Sequence, residues 1–434
     1  MKKLPHLLVS DKDGNIFPHP SLKMAGRSAL DMVEVPKEEL IPLPEGSEIF
    51  TLPGRTPFGW DEKTQELVSV DKGPLGREAW ACAAFMAPAH TQFLLPAYRA
   101  KPNAPRLPLF AYTAVGELYG KLFVPAGRID PDSRQDLKNF SQEEIARRVK
   151  ACLKAEPKNR LVAYLSTCAL VNACPGAKNF FLGRWEAPLP TSPACNSDCV
   201  GCLSFQAANT GFPSTQNRIQ FTPTADEVVA VAAPHLASAP RPVVSFGQGC
   251  EGEPLMNGPL LLESIRKIRK VTPRGIINVN TNGSKPGLVW ELVQAGLDAI
   301  RVSMNSAQEV WYNAYYRPRG YTFADVKDSV KAMVQGGGKA SINYFVFPGV
   351  SDREAEIEAL ISLVNETDPH LIQWRNLNLD PDLYLQTLGD LSPAGRAMGV
   401  PFLLGEIRRQ FPTLRYGYFN PPWATEAEKA AASK

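Results

Sequence analysis

From about Arg184 the chain alternates short apolar runs with amphipathic helical patterns, and that alternation limits the possible fold more than any other feature. The strand-like runs are Val243–Phe246, Ile276–Asn280, Ala299–Met304, Ser341–Phe347 and Leu371–Asn376, preceded by one ending near residues 190–192. Between them, Thr224-Ala225-Asp226-Glu227 caps a helix reaching about Ala233. Further helical patterns cover Leu260–Lys270, Leu288–Ala295, Phe323–Val334 and Asp352–Val364. Repeated βα units need crossover connections between parallel strands, so the spacing predicts a parallel sheet of six strands, open or curled into a barrel. Such sheets place their chemistry beyond the carboxyl ends of the strands.

Directly after the first of these strands comes Thr191-Ser192-Pro193-Ala194-Cys195-Asn196-Ser197-Asp198-Cys199-Val200-Gly201-Cys202. The chain has eight cysteines, at 82, 152, 168, 174, 195, 199, 202 and 250, and three of them fall in this one stretch as C-x3-C-x2-C. A long chain with clustered cysteines is not a secreted disulfide scaffold. Spacings of three and two let one loop wrap three thiolates around a single inorganic centre. Gly201 permits close backbone approach there, and Asn196, Ser197 and Asp198 favour a tight turn. Thiolates select iron–sulfur clusters or zinc. Three ligands leave one position open, as catalytic metal sites do; a structural zinc site needs a distant fourth ligand, such as Cys250 or His235.

The remaining sequence frames this segment. Residues 1–135 hold short runs rich in Phe, Leu, Val and Thr between turns (Ser47–Thr51, Glu66–Val70, Thr91–Leu95, Lys121–Val124), which predicts a β-rich N-terminal domain. Its lone histidines, His6, His19 and His90, form no motif. Residues 136–183 read as a helical connector: Ser141-Gln142-Glu143-Glu144 resembles a capping box, and Arg160–Val171 a buried helix ended by Pro175-Gly176. Residues 184–395 form the α/β core, and 396–434 a C-terminal helical extension and tail. The 39 prolines, about twice the usual frequency, are scattered as punctuation rather than gathered in a tract. Lys plus Arg is 47 against 44 for Asp plus Glu, so nucleic acid is not indicated by charge. No apolar run is long enough for a membrane span, and Met1-Lys2-Lys3-Leu4-Pro5-His6 lacks the apolar stretch of a signal peptide, so the expected compartment is the cytoplasm.

The cysteine spacing and its place after a first strand resemble the radical S-adenosylmethionine (SAM) superfamily, and four downstream segments strengthen the likeness in the family's order. Ser245-Phe246-Gly247-Gln248-Gly249-Cys250-Glu251-Gly252-Glu253-Pro254 looks like the family's "GGEP", with Gly252 and Glu253 in place and Glu251 where the first glycine stands. Asn280-Thr281-Asn282-Gly283 is similar to the "TNG" that ends the third strand. Arg301-Val302-Ser303-Met304-Asn305 looks like the fourth-strand segment, and Phe347-Pro348-Gly349-Val350-Ser351-Asp352 like a fifth-strand ending. A second departure is Val200, where the family usually has an aromatic residue. Both departures bear on subfamily and touch no cluster ligand.

The resemblance implies a partial (β/α)6 TIM-like barrel. Cys195, Cys199 and Cys202 would hold a 4Fe–4S cluster, and Gly252, Glu253, Asn282, Ser303 and Asn305 would contact SAM. It further implies reductive cleavage of SAM to a 5′-deoxyadenosyl radical that abstracts hydrogen from an unidentified substrate, with a reductant such as flavodoxin or ferredoxin. The competing class is a non-catalytic zinc or iron–sulfur binding module interacting with RNA or a protein partner. Secondary candidates are Cys168 and Cys174 (with Cys82 or Cys152) for an auxiliary cluster, and Trp311–Arg319 as an aromatic loop at the barrel mouth. Arg375, Asn376, Asn378 and Asp380 at the end of the sixth strand are candidates for contacting substrate or SAM, whereas His370 just before it reads as incidental.

Overall fold

A computed structural model describes residues 3–73, 76–136, 139–390 and 395–423; the expected terminal tail from 424 and the residues Met1 and Lys2 lie outside them. Between His6 and Arg128 the chain forms thirteen short strands, all paired antiparallel. Three helices follow, Gln142–Ala155, Arg160–Leu170 and Pro175–Phe181. The Pro175-Gly176 pair opens the third helix rather than closing the second. Proline suits the first turn of a helix, where its missing N–H has no intrahelical partner anyway. Ser141 caps the first helix by accepting from the Glu144 N–H, while the Glu144 carboxylate turns to Arg147 and Arg148 instead of closing a full box.

The second half is a half-barrel of seven parallel strands in sequential order. They are β1 (Glu186–Pro188), β2 (Val243–Phe246), β3 (Ile276–Thr281), β4 (Ala299–Met304), β5 (Lys339–Val346), β6 (Leu371–Asn376) and β7 (Arg415–Gly417). The covering helices include α1 (Ala225–Ser238), α2 (Gly258–Val271), α3 (Pro286–Gln294), α4 (Glu309–Tyr316), α5 (Phe323–Gln335), α6 (Glu354–Thr367), α7 (Pro381–Leu388) and α8 (Val400–Gln410). Thr224 and Glu227 close a complete capping box on α1, which runs through Pro234 because burial of His235 and Leu236 holds its last turn. Two elements exceed the expectation from sequence. The aromatic stretch after the fourth strand is helical, as α4, although its N-cap Gln308 makes no capping bond. The seventh strand is Arg415-Tyr416-Gly417, too short and too polar to read as a strand without its partner β6.

Alternation decides what faces inward. On β4, Ile300, Val302 and Met304 join the core under the helices with Val326 and Val330 of α5, so Arg301 and Ser303 point into the barrel. After β7 the chain crosses the amino-terminal end of the barrel. There Phe419 and Trp423 pack with Trp185, Val243, Ile276, Ala299 and Leu371. Among the described residues, no helix is long and apolar enough to cross a membrane.

The N-terminal domain is docked on β6 and α7. Thr91 donates its hydroxyl to the Trp374 carbonyl (2.8 Å), and the Asn376 side chain joins the His90 carbonyl and the Gln92 N–H. Arg55 and Asp380, each 3% exposed, form a 2.7 Å ion pair. Asp380 also accepts from the Leu107 N–H and caps α7. Breaking a buried pair leaves the surviving charge desolvated, a cost of about 3–5 kcal/mol. Asp380→Ala is therefore expected to lower unfolding free energy by about that amount in urea titrations, and the double variant Arg55→Met/Asp380→Leu to recover much of it.

Candidate functional site

β1 ends at Pro188 and delivers the chain into the cysteine loop, whose root is fastened by Glu251. One carboxylate oxygen of Glu251 accepts the N–H groups of Thr191 (2.7 Å) and Ser192 (2.9 Å); the other accepts those of Gly247 (2.5 Å) and Gln248 (3.3 Å). Next to it the two segments run side by side. The Gly252 N–H donates to the Ser192 carbonyl at 2.7 Å and the Glu253 N–H to the Ala194 carbonyl at 2.8 Å. A Cβ on Gly252 would stand 2.1 Å from the Ala194 oxygen, so only glycine fits.

Glu253 continues the fastening toward the third strand. One of its oxygens accepts the Leu255 N–H (3.0 Å) and the Thr281 hydroxyl (2.5 Å); the other accepts the Asn282 N–H (2.8 Å) and keeps a free lone pair. Asn282 in turn donates its amide to Asn196 Oδ1 (2.8 Å) and Ser197 Oγ (3.0 Å), inside the cysteine loop. From the opposite side, the end of α4 accepts from this loop. The Asp198 N–H meets the Tyr316 carbonyl and the Val200 N–H the Tyr315 carbonyl, at 3.1 and 3.0 Å. The structure thus brings Cys195, Cys199, Cys202, Gly252, Glu253 and Asn282 into one network.

The three thiols are free, and burial pushes those of Cys195 and Cys199 up; Glu253 adds to the shift at Cys195, and Cys202 to that at Cys199. Arg218 donates to Cys202 Sγ at 3.4 Å and to Ser204 Oγ at 3.1 Å. Among the described residues no three His, Cys, Asp or Glu side chains converge as a single metal ion requires. The distant zinc ligands considered from sequence are engaged elsewhere: His235 Nε2 contacts the Trp185 carbonyl at 3.0 Å, and the Cys250 thiol donates to that of Cys168. Cys174 lies near this thiol pair, while Cys82 is in the N-terminal sheet against Ser10. Of the auxiliary-cluster candidates, Cys168 and Cys174 thus lie with Cys250, the first and last of these buried and Cys174 half-buried.

Ser303 faces the barrel and accepts from the Asn343 amide at 3.2 Å. Asn305, fully buried, donates to the Trp311 carbonyl and the Tyr384 hydroxyl, and its own carbonyl oxygen has no partner. Of the sixth-strand candidates, Arg375 turns inward, whereas Asn376 and Asp380 hold the N-terminal domain. The Asn378 carbonyl lies behind Gly201, and the His370 ring packs near Trp423. Trp311, Tyr312, Tyr315 and Tyr316 are buried against the cysteine loop, not displayed at a mouth. Sequence reasoning missed the clamp role of Glu251, the thiol contact of Arg218 and the polar lining of the barrel. Only the last left a signal, the polar–apolar alternation of Asn278-Val279-Asn280.

Burial raises the carboxyls of Glu251 and Glu253 to about 7, against the hydrogen bonds each accepts. Because folded Glu251 holds its proton more tightly than the ordinary 4.5, the stability linked to that proton is complete below about 4.5 and lost as pH rises to about 7. Glu251→Gln is expected to flatten the fall of stability across that window in urea midpoints measured at successive pH values. Gly252→Ala is expected to displace the cysteine loop. Iron bound per chain after anaerobic reconstitution falls while far-UV circular dichroism is retained.

Residues 189–361, which span this loop and its partners, match the family model for the Radical SAM superfamily. No curated protein matches the chain. Among solved structures it is similar to a radical SAM methyltransferase from Sphaerobacter thermophilus (15% identity, TM-score 0.34, covering 47% of this chain and 62% of that one). It is also similar to the FeFe-hydrogenase maturase HydG from Carboxydothermus hydrogenoformans (14%, TM-score 0.35, 63% and 74%). A third is Streptococcus suis SuiB bound to S-adenosylmethionine (14%, TM-score 0.37, 67% and 66%). The chain thus spans less than two thirds of the methyltransferase's length.

Proposed function

Given that residues 189–361 form a radical SAM domain, we propose that this chain is a radical SAM enzyme acting on a substrate held inside its half-barrel. Bound together, a 4Fe–4S cluster and SAM supply one-electron cleavage to methionine and a 5′-deoxyadenosyl radical that takes a hydrogen atom from substrate. Cys195, Cys199 and Cys202 would ligate the cluster as thiolates, their protons released to solvent on binding. Gly252, Glu253, Asn282, Ser303 and Asn305 would hold SAM. The free lone pair on Glu253 suits an ammonium donor, and the unpartnered Asn305 oxygen suits a hydroxyl or N–H donor.

The observation that carries this reading is the pinning of one three-cysteine loop, by Gly252, Glu253 and Asn282, at the carboxyl ends of parallel strands. The aromatic residues of α4 shield the loop from water, which radical chemistry requires. Residues 184–395 would be the catalytic core, with residues 136–183 the helical connector. The N-terminal domain, residues 1–135, would serve recognition of the substrate or a partner, and 396–434 would be a C-terminal extension and tail whose described part, to Trp423, closes the barrel's amino-terminal end. An external one-electron donor such as flavodoxin or ferredoxin would reduce the site.

The test is anaerobic reconstitution of the full chain, followed by iron and sulfide counts and by dithionite reduction with SAM. About four irons per chain and release of 5′-deoxyadenosine are expected, both lost in the Cys195→Ala/Cys199→Ala/Cys202→Ala triple variant. Zinc in place of iron, with no SAM turnover, would overturn the reading.

A further inference from the structure

Small (β/α) barrels are usually filled by branched apolar side chains, but here the inward positions are polar. Glu186, Ser245, Asn278, Asn280, Gln373 and Asn420 form one hydrogen-bonded layer. Glu186 Oε1 accepts from Ser245 (2.6 Å), Gln248 (3.0 Å) and Asn420 (2.8 Å). Asn420 also donates to Asn280 Oδ1 at 3.1 Å and accepts from Gln373 at 3.1 Å.

Above that layer the inward side chains are only partly covered: along β4 Arg301 and Ser303 are half-buried where the other residues are buried, and along β6 Arg375 is. On β5 the half-buried residue beyond the first position is Phe345, register partner of Arg375. Solvent therefore reaches these strands from inside the barrel. Polar atoms with no partner line the same space. Asn280, 3% exposed, leaves its amide nitrogen unused, and Asn343, 6% exposed, leaves its carbonyl oxygen unused. The Tyr316 hydroxyl is likewise unpartnered, within electrostatic range of both Arg301 and Cys199. Buried polar atoms are nearly always satisfied, so several orphans around one space mark a place for a ligand.

Charge narrows the ligand. Arg301 and Arg375, on inward positions of β4 and β6, lie within electrostatic range of each other, and neither has an ion-pair partner among the described residues. Arg301 reaches only Gln373 Oε1, at 3.4 Å, with its Nε unpartnered. Arg375 contacts the Tyr418 carbonyl at 3.0 Å and stacks 4.2 Å over its ring. Against two guanidinium charges stands one carboxylate, Glu186, with the triply occupied oxygen described above. Burial first, then Arg375, pulls the Arg301 guanidinium down to about 10, so Arg301 remains charged at neutral pH. A buried excess of one positive charge calls for an anion, and paired guanidinium forks bind planar oxyanions. Arg301 lies one inward position deeper on β4 than Ser303, below the residues assigned to SAM.

We infer that this chamber binds a small organic substrate by an oxyanion group, a carboxylate or a phosphate monoester, between Arg301 and Arg375, with Asn280, Asn343 and Tyr316 meeting its other polar atoms and Phe345 its carbon skeleton. The inference rests on the radical SAM reading for the reaction, but the binding itself needs neither cluster nor SAM. Isothermal titration of the full chain, with and without reconstituted cluster, uses succinate as the carboxylate probe and glycerol 3-phosphate as the phosphate probe. At least one is expected to bind in the low millimolar range, and the tighter of the two names the source of the oxyanion. Arg301→Gln and Arg375→Gln should each weaken binding at least about tenfold, with partial recovery in Arg301→Lys. Thermal melts verify that each variant is folded, and Arg301→Lys keeps the test decisive where the Gln variant is not. SAM should leave the affinity unchanged. Absence of binding by both probes up to about 50 mM, equal binding by the variants, or displacement by SAM would overturn the inference. Loss of SAM cleavage with anion binding intact would instead count against the reaction assignment alone.

Discussion

The cofactor end of this molecule depends on two neighbouring buried carboxylates. Glu251 gathers four backbone N–H groups from two separate loops, and Glu253 ties the same segment to the end of the third strand. Between them Gly252 lets two backbones approach to a distance no side chain tolerates. The cysteine loop thus has no freedom to wander from the second and third strands, although it belongs to neither. Glu251 stands where the resembled family has a glycine, and its side chain supplies acceptors that a glycine cannot. The cost is desolvation, visible in the upward displacement of both carboxyls.

A polar barrel interior is stable only where its groups satisfy one another, and the C-terminal segment supplies the closing member. Asn420 reaches Glu186, Ser245, Asn280 and Gln373 from a position after the seventh strand, joining the first strand to the sixth across the open side of the half-barrel. Below it, Trp423 and Phe419 seal the apolar floor. The lower barrel is therefore closed by hydrogen bonds and aromatic packing. That closure separates a structural layer from a binding layer along the same strands.

Much of this was legible before any coordinates. Val243–Phe246, Ala299–Met304 and Leu371–Asn376 form strands with the bounds read from sequence, because buried parallel strands are compact apolar runs between turn signals. The cysteine loop and the Gly252-Glu253 and Asn282 segments carry local signatures, and the fold brings them together. What stayed hidden depends on tertiary partners. Arg415–Gly417 is a strand only because β6 offers a free edge. Asn376 and Asp380 read as mouth residues, yet face a domain whose docking no local pattern announces. The sulfur pairing of Cys168 with Cys250 joins residues far apart in sequence, and Arg218 follows the last loop cysteine by sixteen positions with no motif of its own.

The N-terminal domain is more than an appended sheet, because its grip continues to the site through one helix. Arg55 holds Asp380, and Asp380 caps α7. On that helix Tyr384 packs against Tyr315 and accepts the amide of Asn305 at 3.2 Å. Tyr315 in turn receives the Val200 N–H of the cysteine loop through its carbonyl. Arg55, Asp380, Tyr384, Tyr315 and Asn305 are all buried, so the N-terminal sheet and Asn305 are packed against one and the same helix.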